Sequence, residues 1–201
     1  LIQDAADPDI LWAGFWPGGL GRFDKTAGRF TIIYTHNPAD PASRGAENDV
    51  VPWMVQDKEN PDILWVGTQK NGLDRFDKAA ETFAHYPESV SLMPQIWTLR
   101  DDGHGTLWLC GCDEHYGLVL FDKATEIFTS YRHDPGVPHS LGSDLVTDVY
   151  EDRAGAFWIG TLSGRIDKYD PQNQTIHLYQ HNPAHPDSPV SLSDNVVPVI
   201  C

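Results

Sequence analysis

The stretch Leu64-Trp65-Val66-Gly67-Thr68 is followed, after a short loop, by Gly72-Leu73-Asp74-Arg75-Phe76-Asp77. Near-copies of this pair of segments begin at Leu11, Leu107 and Phe157, so the chain contains four repeats. A repeat decides the fold class, because each copy forms the same structural unit and neighbouring copies must bury one another's apolar faces.

The spacing inside the repeats is close to constant. In three copies the tryptophan of the first segment lies 11 positions before the aromatic residue of the second, at 12 and 23, 65 and 76, and 158 and 169. The third copy needs 13 positions, from Trp108 to Phe121, because it contains an insertion. Short apolar runs bounded by Gly, Pro, Asn and Asp indicate strands and turns. No window shows the sustained 3.6-residue periodicity of an amphipathic helix.

The second repeat shows the predicted strands most clearly, at residues 51–56, 63–68, 73–76 and 82–86. Four strands in a unit of about 40–50 residues indicate a β-propeller blade. We therefore predict an all-β fold with four four-stranded antiparallel blades, in which the recurring aromatic residues pack between neighbouring blades. The blades are predicted at residues 1–37, 48–87, 95–133 and 146–181, with the first strand of a fifth at 195–201. We expect such a chain to be a partial β-propeller, one part of a larger ring.

The composition excludes several classes of partner. The formal net charge of −15 disfavours nucleic acid and anionic membranes, whose phosphates require Lys and Arg. No apolar stretch approaches the roughly 20 residues that span a bilayer, so we expect membrane attachment only through segments outside this chain. Cys110 and Cys112 are predicted to be small core residues, since three cysteines make no disulfide framework. The linker histidines are dispersed among the blades, and we predict no metal site and no cofactor.

Residues 152–161 read Asp-Arg-Ala-Gly-Ala-Phe-Trp-Ile-Gly-Thr, and residues 191–197 read Ser-Leu-Ser-Asp-Asn-Val-Val. Together with residues 72–77, these segments resemble the two-component regulator propeller repeat, although the first copy lacks the Ser-Leu linker. The resemblance implies a propeller of about seven blades in the extracytoplasmic, periplasmic sensor region of a bacterial inner-membrane receptor. Many such receptors are hybrid histidine kinases, and many sense glycans. Kinase signatures are absent from this chain, so the resemblance implies no enzyme activity for this segment.

The loops between the second and third strands are the candidate binding site. They vary in length and content, whereas the turns between the third and fourth strands are uniform, and variable loops on a rigid scaffold commonly carry recognition. Aromatic faces stack on sugar rings while polar side chains bond hydroxyl groups, so an oligosaccharide or another small molecule is the expected ligand. The candidate residues are Phe15, Trp16, Gln69, Lys70, Asp113, Glu114, His115 and Tyr116. First-strand residues Trp53, Trp97 and Asp148 form a second candidate set facing the channel.

Two other functions remain open from the sequence. The abundant carboxylates leave room for a propeller enzyme, a polysaccharide lyase or glycoside hydrolase, because a catalytic pair needs only to converge in space. However, nearly every recurring Asp lies at a turn, which favours a structural role. The third function is a dimerisation scaffold, either as a homodimer of the parent receptor or through apolar sheet faces exposed at the two ends of the repeat array.

Overall fold

The computed structural model describes residues 1–16, 18–37, 39–43, 50–111, 113, 115–162, 165–171, 173 and 175–180. The chain divides into two units. The first comprises Leu1–Leu109 with Phe121–Phe128, and the second comprises Cys110–Leu120 with Thr129–Cys201. The predicted fifth-blade strand at 195–201 and the predicted outer blade limits 48 and 181 lie outside the described residues.

Sixteen strands form four antiparallel sheets in the described part of the chain. The first sheet contains β1 (Ile2–Gln3), β2 (Ile10–Gly14), β3 (Leu20–Asp24) and β4 (Arg29–Tyr34). The second contains β5 (Trp53–Gln56), β6 (Ile63–Gly67), β7 (Leu73–Asp77) and β8 (Thr82–Tyr86). The third contains β9 (Thr98–Asp101), β10 (Thr106–Cys110), β11 (Leu118–Asp122) and β12 (Ile127–Tyr131). The fourth contains β13 (Val146–Glu151), β14 (Phe157–Thr161), β15 (Arg165–Asp170) and β16 (Thr175–Gln180).

Strands adjacent in sequence are adjacent in every sheet, so each repeat forms one up-and-down blade. The predicted fold class, a partial β-propeller of four-stranded antiparallel blades, is confirmed. Cys110 is buried and unbridged, as predicted, whereas Cys112 lies outside the described residues.

The second blade begins later than the sequence predicted, because β5 starts at Trp53 rather than at Val51. Val51 instead belongs to a buried entry segment that packs against the end of β2. A Cβ atom at Gly14 would lie 2.4 Å from the Val51 carbonyl oxygen, so only glycine permits this close approach. The Gly of the repeated Leu-Trp-x-Gly segment therefore allows the next blade's entry segment to pack closely.

One short helix, α1 (Pro87–Leu92), follows the second blade, where the sequence predicted none. Six residues are too few to show a helical period, and Pro87 at its start is compatible with the first turn. The helix positions Ser89, whose hydroxyl donates to the Tyr86 carbonyl at 2.5 Å and accepts from the Leu73 amide at 2.9 Å. The helix therefore connects the linker to β7 through the hydrogen bond between Ser89 and Leu73.

The first linker contains a serine equivalent to the one in the Ser-Leu linker, although the leucine is missing. The hydroxyl of Ser43 donates to the Asn37 carbonyl at 2.9 Å, and the Asn37 amide donates back to it at 2.9 Å. Ser140 makes the same pair of bonds with Asp134, at 2.8 and 3.1 Å. The interpretation that the first copy lacks this linker is therefore only partly right, because Ser43 closes the loop by itself.

An aspartate supports the tryptophan of every blade, and it is buried in the first three blades and half-buried in the fourth. One carboxylate oxygen accepts backbone amides of the turn after the first strand, as when Asp57 accepts from Glu59 and Asn60. The other accepts the indole N–H of the second strand, at 2.7 Å between Asp57 and Trp65. Equivalent indole bonds have lengths of 2.7, 3.5 and 2.8 Å in the pairs Asp4–Trp12, Asp102–Trp108 and Asp152–Trp158. The predicted structural role of these recurring aspartates is confirmed.

Aromatic rings join neighbouring sheets within the first unit. Trp12 contacts Phe76 edge to face, with ring centroids 5.5 Å apart, and Trp65 contacts Phe121 in the same way at 5.5 Å. Both tryptophans are 3% exposed. The prediction that the repeated aromatic residues pack between blades is confirmed for these pairs.

Ion pairs accompany this packing at the turn between the third and fourth strands. The Lys78 ammonium contacts Asp4 of the preceding blade at 2.5 Å. The Lys123 ammonium lies 3.1 Å from Asp57, 3.0 Å from Asp101 and 2.8 Å from Glu59. Only 8% of the Lys123 side chain is exposed, so the charge is compensated by carboxylates rather than by water.

The pKa values of these groups reflect their burial and their hydrogen bonds. Burial acts to raise the pKa of Asp57, but hydrogen bonds from Trp65, from two backbone amides and from Lys123 hold it below its ordinary value. Burial acts to lower the pKa of Lys123, and its bonds to Glu59, Asp101 and Asp57 raise that pKa above its ordinary value. Both groups are therefore charged in the folded protein near neutral pH.

Candidate functional site

The first candidate loop separates an anchoring aromatic residue from an exposed one. The Phe15 amide donates to the Gly19 carbonyl at 3.1 Å and closes the loop. The Phe15 ring packs edge to face on Phe30, with centroids 5.1 Å apart. Phe15 therefore covers its own sheet and contributes to the shape of the loop. Trp16, next in the chain, is 73% exposed and presents its indole to solvent.

The second candidate loop is organised by the threonine that ends the Leu-Trp-Val-Gly-Thr segment. The buried Thr68 hydroxyl donates to the Gly72 carbonyl at 3.0 Å and accepts the Asn71 amide at 2.9 Å. Gln69 is half-buried, and its backbone amide donates to Val50 at 3.1 Å. Lys70 is exposed at the loop tip. In this loop Lys70 is thus the residue most available to a ligand.

The third candidate loop, the insertion of the third repeat, brings three predicted residues together. The His115 ring and backbone amide both contact the same Asp113 carboxylate oxygen, and the Tyr116 amide donates to the Asp113 carbonyl at 3.3 Å. The hydrogen bond from the His115 side chain lowers the pKa of Asp113 below its ordinary value. The His115 side chain is 71% exposed. Glu114 lies outside the described residues.

Sequence reasoning missed an arginine beside this insertion. The Arg132 guanidinium donates to the His115 carbonyl oxygen and adds a cation to the loop surface. The available signal is its position directly after β12, which ends at Tyr131. In a blade, the end of the fourth strand lies beside the start of the third strand and so beside the loop before it. The insertion therefore presents a carboxylate, an imidazole and a guanidinium together.

A groove beside the first strands forms the second candidate region. It has a volume of about 260 Å³ and lies against β5 and β9 in the first unit. Trp53, one of the predicted first-strand residues, lines the groove and is 46% exposed. Thr98 and Arg100 supply polar groups from the neighbouring strand. Trp97 and Asp148 are half-buried and do not line this groove.

Two of the linker histidines form hydrogen bonds with backbone carbonyl groups. The His133 ring bonds the Leu141 carbonyl at 2.6 Å, and the His139 ring bonds the Ile176 carbonyl at 3.2 Å. Within the described part of the chain, no three His, Cys, Asp or Glu side chains converge as a metal site requires. His181 and His185 lie outside that part. No helix among the described residues is long and apolar enough to cross a membrane.

Comparison with protein families shows that residues 140–163 match the model described as two component regulator propeller. These residues contain the end of the Ser-Leu linker, β13 and β14. Comparison with curated protein sequences gives no match.

Solved structures resemble the chain over most of its length. The extracellular domain of BT3049 from B. thetaiotaomicron, assigned as a hybrid two component system, is 24% identical with a TM-score of 0.71, over 88% of this chain and 22% of that one. The extracellular domain of BT4673 from the same organism, assigned as a one component system, is 23% identical with a TM-score of 0.66, over 88% of this chain and 24% of that one. The β-propeller domain of Cps50 (Swd1) from Myceliophteria thermophila is 13% identical with a TM-score of 0.61, over 89% of this chain and 55% of that one.

The chain thus spans about a quarter of the length of the first two of these proteins. The likeness to them establishes the propeller fold, and the matched segment resembles the two component regulator propeller repeat over residues 140–163. Both agree with the resemblance that residues 72–77 and 152–161 carry. The chain is a partial β-propeller, and its residues 140–163 match the two component regulator propeller repeat.

Proposed function

We propose that this chain is a ligand-sensing segment of the extracytoplasmic propeller of a bacterial two-component receptor, and that its ligand is a neutral oligosaccharide. The observation that carries the ligand class is Trp16, a 73% exposed indole on a loop that Phe15 and Gly19 hold closed. A broad apolar face with one polar edge is the group that commonly stacks on a sugar ring.

The receptor context is supported by the family match and by two structural neighbours described as extracellular domains of such systems. Signalling then belongs to other parts of the parent receptor, such as a histidine kinase, and membrane attachment belongs to segments outside this chain. We assign no catalytic role to this segment, since the recurring aspartates accept turn amides and indole N–H groups.

The charge of the protein favours a neutral glycan over a sulfated or uronate-rich one. With a formal net charge of −15, the surface repels polyanions at long range. Within the unit that contains Trp16, the exposed Lys70 offers a hydrogen-bond donor for hydroxyl groups. We therefore expect the protein to recognise its ligand by stacking of an indole on a sugar ring and by hydrogen bonds to sugar hydroxyl groups, and not by charge.

Replacing Trp16 with alanine is expected to weaken oligosaccharide binding about 30-fold, equivalent to about 2 kcal/mol, as for truncation of an aromatic hot spot. The measurement is isothermal titration of the protein against neutral tetrasaccharides from xylan, arabinan and mannan, with heparan sulfate tetrasaccharide as the charged comparison. The fold is expected to be intact, because Trp16 is exposed.

The matched control is Trp53→Ala, which removes the other strongly exposed indole from the first-strand groove. It is expected to leave the affinity within about twofold. If Trp53→Ala abolishes binding and Trp16→Ala does not, the loop site is wrong and the groove is the binding site. If no glycan in the panel binds the wild-type protein, oligosaccharide sensing by this segment is wrong.

A further inference from the structure

The groove that lies against β5 and β9 has a fixed shape, because the two strands are joined near both ends. Near their starts the Ile96 amide donates to the carbonyl oxygen of Thr68, which follows the β6 partner of Trp53, at 2.9 Å. Near their ends the Lys58 amide donates to the Asp101 carboxylate at 2.9 Å. Both strands belong to the first unit and their blades are adjacent, so a further blade of a larger ring cannot enter between them.

The two strands present two different chemistries to the groove. Successive side chains of a strand point to opposite faces, and the buried Met54 and Leu99 alternate with less buried neighbours. Those neighbours line the groove and are Trp53, Val55, Thr98 and Arg100. Trp53 begins β5 and Thr98 begins β9, whereas Arg100 lies one residue before the end of β9. An indole therefore lies toward one end of the groove and a guanidinium toward the other.

The charged groups that a ligand can reach in this groove are cations. Among the described residues that line it, Lys58 and Arg100 are cationic and Asp101 is the one carboxylate. Asp101 is 3% exposed, and its oxygens accept from the Lys123 ammonium at 3.0 Å and from the Gly103 amide at 2.8 Å. That carboxylate is thus directed into the protein, whereas Lys58 is exposed and Arg100 is half-buried.

The Lys58 side chain is held beside the groove by the third blade. A Cβ atom at Gly103 would lie 2.9 Å from Lys58 Cδ, so the lysine stem passes directly over this glycine. Gly103 has a φ of 76°, a left-handed conformation that favours glycine, and its lack of a side chain leaves room for the stem. Because its stem is packed and its own amide is bonded to Asp101, Lys58 keeps its ammonium near the end of the groove where Arg100 lies.

We propose that this groove binds a small carboxylate that contains a single ring, and that it does so independently of the loop site around Trp16. The ring stacks on Trp53, because an indole offers a broad apolar face with one polar edge. The carboxylate accepts from Arg100 and Lys58, because a guanidinium presents paired N–H groups that match the two carboxylate oxygens and an ammonium adds further donors.

The size of the groove and the charge of the chain restrict the ligand further. The volume of about 260 Å³ lies below the roughly 300–1,000 Å³ typical of sites for drug-sized ligands, so the groove fits one ring and is too small to enclose a tetrasaccharide. The formal net charge of −15 repels ligands with several negative charges, which favours a single carboxylate over a phosphate or a polysulfate. An aromatic acid and a monomeric sugar acid share the required ring and carboxylate.

An NMR titration of the whole chain distinguishes these two sources. The probes are benzoate and indole-3-acetate for the aromatic acids, and glucuronate and galacturonate for the sugar acids, with benzamide and methyl glucoside as neutral counterparts. At least one class of acid is expected to shift the indole N–H signal of Trp53, assigned by its loss in Trp53→Phe, and to saturate below about 1 mM. The matching neutral compound is expected to bind at least about tenfold more weakly. If neither class of acid shifts that signal, or if the neutral compound binds equally well, the inference is wrong.

Substitutions test the cationic end of the groove separately. Arg100→Gln is expected to weaken binding of the acid at least about tenfold and Lys58→Gln about fivefold, because each removes a charged donor. Arg153→Gln, at an exposed arginine in the first turn of the fourth sheet, is the matched control and is expected to leave the affinity within about twofold, because this side chain does not line the groove. Arg100 is half-buried, so the melting temperature of its variant is measured as well, whereas Lys58→Gln changes an exposed side chain. Wild-type affinity in Lys58→Gln, or in a folded Arg100→Gln protein, would overturn the inference.

Discussion

Lys123→Met is expected to lower the free energy of unfolding by about 3–5 kcal/mol, the usual cost of removing one partner from a buried ion pair. The ammonium lies 3.1 Å from Asp57 and 3.0 Å from Asp101, and these aspartates are 7% and 3% exposed. Methionine retains most of the apolar stem but leaves these carboxylates facing each other without a cation. Urea denaturation followed by tryptophan fluorescence measures the loss.

The matched control is Lys25→Met, the same substitution at the equivalent turn of the first sheet. Because Lys25 is exposed, this variant is expected to stay within about 0.5 kcal/mol of the wild type under dilute conditions. An equal loss in both variants would show that the buried network is not the cause.

The pH dependence of the Lys123→Met effect has a definite sign. In the wild type the pKa of Asp57 lies below its ordinary value, so its contribution is present above the unfolded pKa and is lost as the pH falls through the folded pKa. Without Lys123 that pKa rises, and protonation removes the uncompensated charge at higher pH. The difference between the two proteins is therefore expected to be largest near pH 7 and to shrink toward pH 4.

Leu178→His is expected to stabilise the protein by about 1.5–3 kcal/mol at pH 6.5, the usual range for a hydrogen bond to a charged group. Its target is Asp167, which is fully buried and has one carboxylate oxygen without a hydrogen-bond partner among the described residues. In the second sheet, Asp74 pairs across the strands with His85, whose ring lies 2.8 Å from its carboxylate. In the fourth sheet, the same register pairs Asp167 with Leu178.

The wild-type Asp167 has an unusual protonation state. Burial raises its pKa to about 6, against the opposing effects of the Gly142 amide and the charges of Arg165 and His133. A folded pKa above the unfolded value of 3.8 means that the folded state holds the proton more tightly between those two values. The contribution of this group is therefore favourable below about pH 4 and is lost as the pH rises through 6, amounting to about 3 kcal/mol.

The stabilisation from Leu178→His is accordingly expected to shrink toward pH 4, where the wild-type carboxyl is already neutral. Carbon NMR of the Asp167 carboxyl measures the pKa directly, and we expect it to fall below 6 in the variant. Leu178→Met is the control without a donor, and it is expected to keep the wild-type pH dependence because Leu178 is 44% exposed. If the histidine and methionine variants have the same stability at every pH, the proposed hydrogen bond from the new histidine to Asp167 is wrong.

The candidate site was predictable only in outline. Variable length and polar content identified the loops around Trp16, Lys70 and Asp113. The sequence did not distinguish Phe15, which packs on Phe30, from Trp16, which is exposed, because two adjacent aromatic residues look alike until the loop is closed. Arg132 was also missed, since it reaches the Asp113 loop from the end of a different strand.

The sequence by itself determined the repeat, the four strands of each blade and the structural roles of the recurring tryptophans and aspartates. It did so because one spacing imposes one strand pattern, and a buried indole N–H needs an acceptor in every copy. The tertiary structure alone decided which turn lysine is buried between sheets and which is exposed, as the contrast of Lys123 with Lys25 shows. Both lysines follow an aspartate at the same turn, but Lys123 is buried against Asp57 of the second sheet whereas Lys25 is exposed.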